Sequence, residues 1–221
     1  MSQTILITGA NRGIGLELAR AWHQRGDQVI AVCRQNSDAL GRLGVEVLDG
    51  IDVTRDSDIQ RLRDALRGRP LDILYHNAGI LGRETLDHMD IDRVREQFEV
   101  NTLAPLRLTL ALLDNLNPGS KIGLMSSILG SIALNEEGGY YGYRISKAAL
   151  NAAGRTLSVD LRPRGIAVGL LHPGYVMTDM TGHQGHISPQ VAAARLVARM
   201  DELSLENTGH FWHAEGRELL W

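Results

Sequence analysis

Ile5-Leu6-Ile7-Thr8-Gly9-Ala10-Asn11-Arg12-Gly13-Ile14-Gly15 opens the chain with a short apolar run, a glycine-studded turn and the start of an amphipathic stretch. A four-residue run of this kind is strand length, and Ile14–Arg25 repeats its apolar residues at helical spacing. A first glycine permits a tight turn, a second lets backbone approach a pyrophosphate, and the following helix offers unpaired N–H groups and its dipole. The spacing here is G-x-x-x-G-x-G, not the G-x-G-x-x-G of the general dinucleotide fingerprint. The turn is therefore a candidate phosphate cradle, with Gly9, Asn11, Arg12, Gly13, Ile14 and Gly15 as its cofactor-facing residues.

The same alternation continues outward. Gln28–Cys33, Val45–Leu48, Leu71–Tyr75, Lys121–Ser126, Ile166–Leu171 and His210–His213 read as further strands. Asp56–Arg67, Ile91–Leu116, Tyr143–Leu161 and Pro189–Leu203 read as helices, and the helix before Val45 is brief or absent. Near-continuous Val/Ile/Leu runs are the mark of parallel strands buried on both faces. Strand–helix alternation at these lengths implies right-handed βαβ units. The expected fold is α/β: a single Rossmann-type domain over 1–221, a doubly wound parallel sheet of about seven strands with helices on both faces. The polar, glycine-rich stretch after Pro173 interrupts the pattern and predicts a short lid around 175–190.

Composition bounds the function. The 221 residues are 43% hydrophobic and 22% charged with net charge −3, which gives no electrostatic reason to expect nucleic acid or an anionic membrane as partner. A single cysteine, Cys33, excludes an internal disulfide framework and suits a reducing compartment. The N-terminus lacks the features of a signal peptide and no run of 18 apolar residues occurs, so a cytoplasmic protein is expected. Of 23 basic residues only Lys121 and Lys147 are lysine. Codon bias explains such a skew, yet a retained lysine marks a place where a group able to shift its pKa and pass protons is wanted.

Lys147 stands four residues after Tyr143, on the same face of a predicted helix. A phenol with a pKa near 10 is a poor acid or base at neutrality, and an adjacent ammonium lowers that pKa. Tyr140 and Tyr141 have Arg144 and Ile145 at the corresponding position, so only Tyr143 is paired with a lysine. Lys121–Ser127 reads as a strand ending in two hydroxyls, either capping a turn or polarising a carbonyl. The second strand ends Val32-Cys33-Arg34 where an NAD site carries an acid. Arg34, helped by Arg12, would instead meet a 2′-phosphate, which favours NADP(H) over NAD(H).

Together, Thr8–Gly15, Asp52-Val53, Asn77-Ala78-Gly79, Asn101, Ser126-Ser127, Tyr143–Lys147 and Pro173–Thr178 resemble the short-chain dehydrogenase/reductase family over nearly the whole length. Within it, Met125–Ile132 and Gly138–Tyr143 look like the branch of C-factor and sniffer-type carbonyl reductases. The resemblance implies hydride transfer between a nicotinamide cofactor and a small carbonyl or alcohol. Tyr143 would be the acid/base, Lys147 would lower its pKa and hold a ribose, and Ser127 would orient the carbonyl. Asn101 would anchor a water leading from Lys147 to solvent. Asp52 and Val53 would meet adenine, Asn77, Ala78 and Gly79 the adenosine side, and Pro173, Gly174, Val176 and Thr178 the nicotinamide end. A rival role, that of a nucleotide-binding signalling protein, comes with the C-factor likeness.

Departures are expectations too. His76 replaces the family's usual first Asn, putting that residue's hydrogen bonds in doubt. An extended Ser127-to-Tyr143 gap leaves Ser131 as a rival to Ser127. The eight histidines carry no recognisable zinc pattern, so no metal is expected. Glu96, Glu99, Glu136 and Glu137 read as solvated charges. The Ile91–Leu116 segment is long and apolar on more than one face, and the family resemblance, in which the corresponding helix often builds a subunit interface, implies self-association as a homodimer or homotetramer.

Overall fold

A computed structural model describes residues 2–221. Seven parallel strands form one sheet in the order β3-β2-β1-β4-β5-β6-β7. They are β1 (Thr4–Thr8), β2 (Gln28–Val32), β3 (Glu46–Leu48), β4 (Leu71–His76), β5 (Leu116–Met125), β6 (Ala167–His172) and β7 (Phe211–His213). The helices are α1 (Gly13–Arg25), α2 (Asp38–Gly41), α3 (Asp56–Ala65), α4 (Ile91–Phe98), α5 (Ala104–Ala111), α6 (Tyr141–Leu161) and α7 (Pro189–Glu202). The expected doubly wound α/β sheet is the observed one. Among the described residues no helix is long and apolar enough to cross a membrane.

The side-chain period of two explains the layering. In β1, Leu6 joins a buried cluster with Leu62, Leu108 and Leu150, whereas Ile5 and Ile7 join Leu18, Trp22 and Met200 on the other face. Strands buried on both faces have no room for polar alternation, hence their apolar runs. Trp22 of α1 meets Tyr75 of β4 edge to face, with ring centroids 5.6 Å apart.

The chain winds outward from β1 to β3, then returns to place β4 beside β1. The reversal opens a crevice beyond the carboxyl ends of these two strands, where open α/β sheets take ligands. Hydrogen bonds lock it: the Thr8 hydroxyl accepts from the Asn77 and Ala78 backbone N–H groups (both 3.1 Å), and the Asn77 amide donates to Thr8 and Gly9 carbonyls (both 3.0 Å).

One predicted element is broken. Ile91–Leu116 is not one helix but α4, a π-helical turn at Glu99–Leu103, α5 and a 3-10 turn at Leu113–Asn115, after which β5 begins earlier than expected. Pro105 has no N–H to donate to the carbonyl of Asn101 four residues back, so a regular α-helix cannot run through this point. The helix preceding β3 is the single turn α2, capped by Ser37 (3.1 Å to Leu40 N–H).

Candidate functional site

The crevice continues into one cleft of about 1170 Å³ that runs from the end of β2 to the start of α6 and the segment after β6. Its floor is the glycine turn. Gly9 and Gly13 have φ of +66° and +55°, the left-handed region that suits glycine. A Cβ on Gly9 would lie 2.9 Å from Ala78 Cα, and one on Gly15 would lie 2.3 Å from the Gly9 carbonyl oxygen. The turn is thus pressed onto the end of β4, and no side chain caps the first turn of α1. Its free N–H groups and positive dipole end are left for an anionic group, so the cradle fits a pyrophosphate.

At the β2 end, Arg34 is exposed on the cleft wall and has no ion-pair partner among the described residues. Asp52 lies near it. Burial pushes the Asp52 carboxyl up, but hydrogen bonds from Thr54 (2.7 and 3.0 Å) and the charges of Arg34 and Arg55 leave it below its usual range. Arg12 lines the cleft too, where its exposed guanidinium pairs with Asp179 (2.8 Å) and joins the glycine turn to the segment after β6. Asn11 is also spoken for, donating to the Gln35 carbonyl (3.0 Å) while its own carbonyl accepts from Ser37.

At the other end, Ser127, Tyr143 and Lys147 line the cleft together. Ser127 leaves the carboxyl end of β5, and its side chain caps the 3-10 turn Ile128–Gly130 through Leu129 N–H (3.2 Å). That turn lies against α6: a Cβ on Gly130 would come within 2.8 Å of Lys147 atoms. Ser131, the rival, turns away from the cleft and donates to the Trp221 carbonyl (3.2 Å). Lys147 Nζ lies 5.7 Å from the Tyr143 ring centre and donates to the Met125 carbonyl (2.7 Å).

The electrostatics differ from the sequence expectation. Burial raises the Tyr143 phenol to about 12, opposed only by hydrogen bonding to Ser127. Burial likewise drops the Lys147 ammonium to about 7. Lys147 is buried and Tyr143 half-buried, and neither has a carboxylate partner among the described residues, so burial favours the neutral form of each. In the protein alone, burial outweighs any lowering of the phenol by the lysine.

Asn101 is fully buried in the π turn and does not line the cleft. Its side chain accepts from Ile80 N–H and donates to the Ile80 carbonyl (both 2.9 Å) and to Ser146 Oγ (3.0 Å). Its amide is fully used. What Pro105 leaves without a fourth-on donor is the Asn101 main-chain carbonyl. Thr102 and Ser146 complete the tether, since Thr102 donates to the Ser146 carbonyl (2.8 Å) and Ser146 Oγ to the Tyr143 carbonyl (2.8 Å). Asn77, Ala78 and Gly79 after β4, Val53 after β3, and Pro173, Gly174, Val176 and Thr178 after β6 all line the cleft. The segment after β6 is compact: Met177 N–H bonds the Ile187 carbonyl (3.0 Å), and Thr178 and Thr181 cap each other's backbone.

Other residues take unexpected places. His76 sits buried with Nε2 2.9 Å from Thr109 Oγ1, its imidazole lowered to about 3 by burial. His172 lines the cleft with a buried, unpartnered Nδ1, and burial with the neighbouring His213 and Arg217 pulls it to about 3. Glu96 and Glu137 are exposed, as solvated charges should be, and also line the cleft, while Glu99 pairs with Arg107. Arg83 and Tyr140 also line it, without any sequence pattern that marks them. Lys121 donates to the Met200 and Asp201 carbonyls (2.6 and 2.9 Å) near the end of α7, far from this chemistry. Among the described residues no group of three His, Cys, Asp or Glu side chains could hold a metal ion.

A parallel sheet wound both ways, a glycine cradle at its switch point and a tyrosine–lysine pair across the same cleft define a Rossmann-like oxidoreductase. The family model "short chain dehydrogenase" matches residues 3–187, and the chain belongs to that family. The chain is 41% identical over 224 residues to 1-hydroxy-2-glutathionyl-2-methyl-3-butene dehydrogenase of Rhodococcus sp. (strain AD45), with 99% of each covered. It is 40% identical over 155 residues to C-signal of Myxococcus xanthus, covering 69% of this chain and 93% of that one. Among solved structures, it resembles the carbonyl reductase Sniffer of D. melanogaster (TM-score 0.91, 32% identity, all of both chains). It likewise resembles a carbonyl reductase of Pseudomonas aeruginosa PAO1 in complex with NADP (TM-score 0.88, 35% identity, all of both chains).

Proposed function

We propose that this oxidoreductase interconverts a carbonyl and an alcohol with NADP(H), using Tyr143 as the proton-transfer group. The observation that carries the reading is the cleft itself, which holds the glycine cradle and Arg34 at one end and Ser127, Tyr143 and Lys147 at the other. A bound nicotinamide dinucleotide supplies hydride to the carbonyl carbon, or accepts it from the alcohol.

The chain's own residues do the rest. The Ser127 hydroxyl donates to the carbonyl oxygen and polarises it. The Tyr143 phenol, kept protonated by burial, delivers its proton to the same oxygen in the reducing direction. Lys147 Nζ, held by the Met125 carbonyl, keeps further protons facing the cleft to hold a ribose hydroxyl and to replace the proton that Tyr143 gives up. The Asn101 carbonyl, left without an i+4 donor, receives a water that carries that replacement from solvent. Arg34 takes the 2′-phosphate, which favours NADP(H), while Asp52 and Val53 meet adenine, and Pro173, Gly174, Val176 and Thr178 bound the nicotinamide side. The enzyme works as one cytoplasmic domain, with 175–190 as a short lid. Leu110 on α5 and Val159 on α6, both exposed, support self-association as a dimer or tetramer.

The substrate is a small carbonyl compound or alcohol; the name of the Rhodococcus relative makes glutathionyl alcohols one class to include. The C-signal likeness favours a second reading, nucleotide-dependent signalling on the same fold. Tyr143→Phe tests the first. Turnover of an aldehyde and ketone panel should fall at least about a hundredfold, while the NADPH dissociation constant, read by fluorescence, stays within about threefold because only the phenol oxygen is lost. Full activity in the variant refutes the mechanism. Tight NADPH binding with no turnover by wild type across the panel favours signalling.

A further inference from the structure

The segment between β4 and α4 holds one cation in an unusually fixed frame. Gly82 N–H donates to Gln97 Oε1 (2.7 Å), and Gln97 Nε2 donates to Glu84 Oε1 (2.8 Å). The second Glu84 oxygen accepts from Gly142 N–H (3.3 Å), one residue before Tyr143. Gln97 is fully buried and Glu84 is 4% exposed, with no cation beside it among the described residues. The fit is close, since a Cβ on Gly82 would lie 2.1 Å from Glu84 Oε1. Arg83 sits between these two anchors, so its backbone is fixed at the Tyr143 end of the cleft.

Arg83 itself is exposed, lines the cleft, and has neither ion pair nor side-chain hydrogen bond among the described residues. Of the other arginines lining the cleft, Arg12 is paired with Asp179 and Arg34 lies at the opposite end. Glu96 does not neutralise Arg83, because it is engaged by Arg93. Glu137, in the loop leading to α6, is the second unpaired charge at this end, and it too is out of ion-pair range of Arg83. Two opposite charges with no ion pair between them thus line the same cleft as Tyr143.

We infer that Arg83 and Glu137 select a substrate that carries an amino-acid-type zwitterion, with Arg83 taking its carboxylate and Glu137 its ammonium. This rests on the carbonyl–alcohol reading above and names the substrate class for that site. A guanidinium fork matches a carboxylate in two parallel hydrogen bonds, and the clamped Gly82 and Glu84 leave only side-chain rotamers, not backbone, to be ordered on binding.

The test compares two alcohols that differ only in the remote group: a 2-hydroxyalkyl thioether of glutathione, and the same thioether of N-acetylcysteamine, which has neither carboxylate nor ammonium. Wild type should prefer the glutathione thioether by more than about tenfold in kcat/KM. In Arg83→Gln that preference should fall about tenfold, the loss carried by KM rather than kcat; Glu137→Gln should lower it less. Both positions are exposed, and an unchanged melting temperature excludes misfolding as the cause. Equal use of both alcohols by wild type, or a preference unmoved in Arg83→Gln, overturns the inference and leaves the carbonyl–alcohol reading standing. Failure to turn over either of these or any member of the aldehyde and ketone panel overturns both.

Discussion

Replacing Lys147 by methionine should stabilise the cofactor-free protein at neutral pH and destabilise it in alkali. Methionine is close in length, apolar and unable to be charged. The Lys147 pKa falls from 10.5 to about 7 through burial, so between those values the unfolded chain holds a proton that the native protein does not. Stability therefore rises with pH across this window, and below about pH 7 the full penalty of burying the ammonium is present. At about 1.4 kcal/mol per pH unit the penalty reaches roughly 5 kcal/mol. Against this stands the hydrogen bond from Nζ to the Met125 carbonyl, whose loss costs about 1–3 kcal/mol at a buried acceptor. The net expectation at pH 7 is a gain of roughly 2–4 kcal/mol for Lys147→Met. It should shrink steadily, turn into a loss between about pH 8 and 10, and leave only the missing hydrogen bond above about pH 10.5. Tyr143, raised to about 12, loses its stabilising contribution only above pH 10 and does so in both proteins, so it cancels in the difference. Urea unfolding of wild type and variant at half-unit steps from pH 6.5 to 9.5 reads the difference directly. Parallel stability curves, or a variant weaker throughout by a constant amount, would refute the claim that Lys147 is buried at the expense of its charge.

Two further substitutions probe the ends of the cleft. Arg34→Asp should raise the NADPH dissociation constant by about 10- to 100-fold, because a carboxylate then faces the 2′-phosphate, and leave NADH binding nearly unchanged; a ratio that moves less than about threefold contradicts the NADP assignment. Glu84→Ala should cost about 2 kcal/mol by stranding one of the two Gln97 Nε2 hydrogens, the other staying on the Arg93 carbonyl, and the Gly142 N–H, seen as a melting temperature lower by roughly 4–8 °C for a chain of this size. Glu84→Gln, which keeps an acceptor oxygen, should recover about half of that; equal losses in the two variants would mean that the carboxylate frame around Arg83 carries no specific weight.

What the sequence made legible follows from how local its causes are. The apolar runs of β1, β2, β4 and β6 reveal parallel strands because burial on both faces leaves no polar alternation to disguise them. Tyr143 and Lys147 reveal a shared face because four residues make about one helical turn. The break of Ile91–Leu116 was partly written in Pro105, whose missing N–H falls opposite Asn101, yet a strong apolar pattern on both sides concealed it. The charges behaved otherwise. Whether an arginine is free depends on what a distant segment places beside it: Arg12 meets Asp179 across 167 residues, and Arg83 has no ion-pair partner among the described residues. The same holds for the tyrosine–lysine pair. Spacing brings the two side chains together, but their proton affinities are set by β5, the turn after it and the π turn, which together exclude water. An ammonium tunes a phenol only while it stays charged, and in the protein alone burial removes that charge near neutral pH. The pair is therefore assembled by the fold but made competent by what enters the cleft. An anionic dinucleotide beside Lys147 favours its charged form, which in turn lowers the phenol. On that reasoning the activity should gain its working pKa values only with cofactor bound, and a tyrosinate absorbance titration of the protein with and without NADP should place the Tyr143 transition lower in the complex. An unshifted transition would break the link between cofactor binding and acid–base readiness.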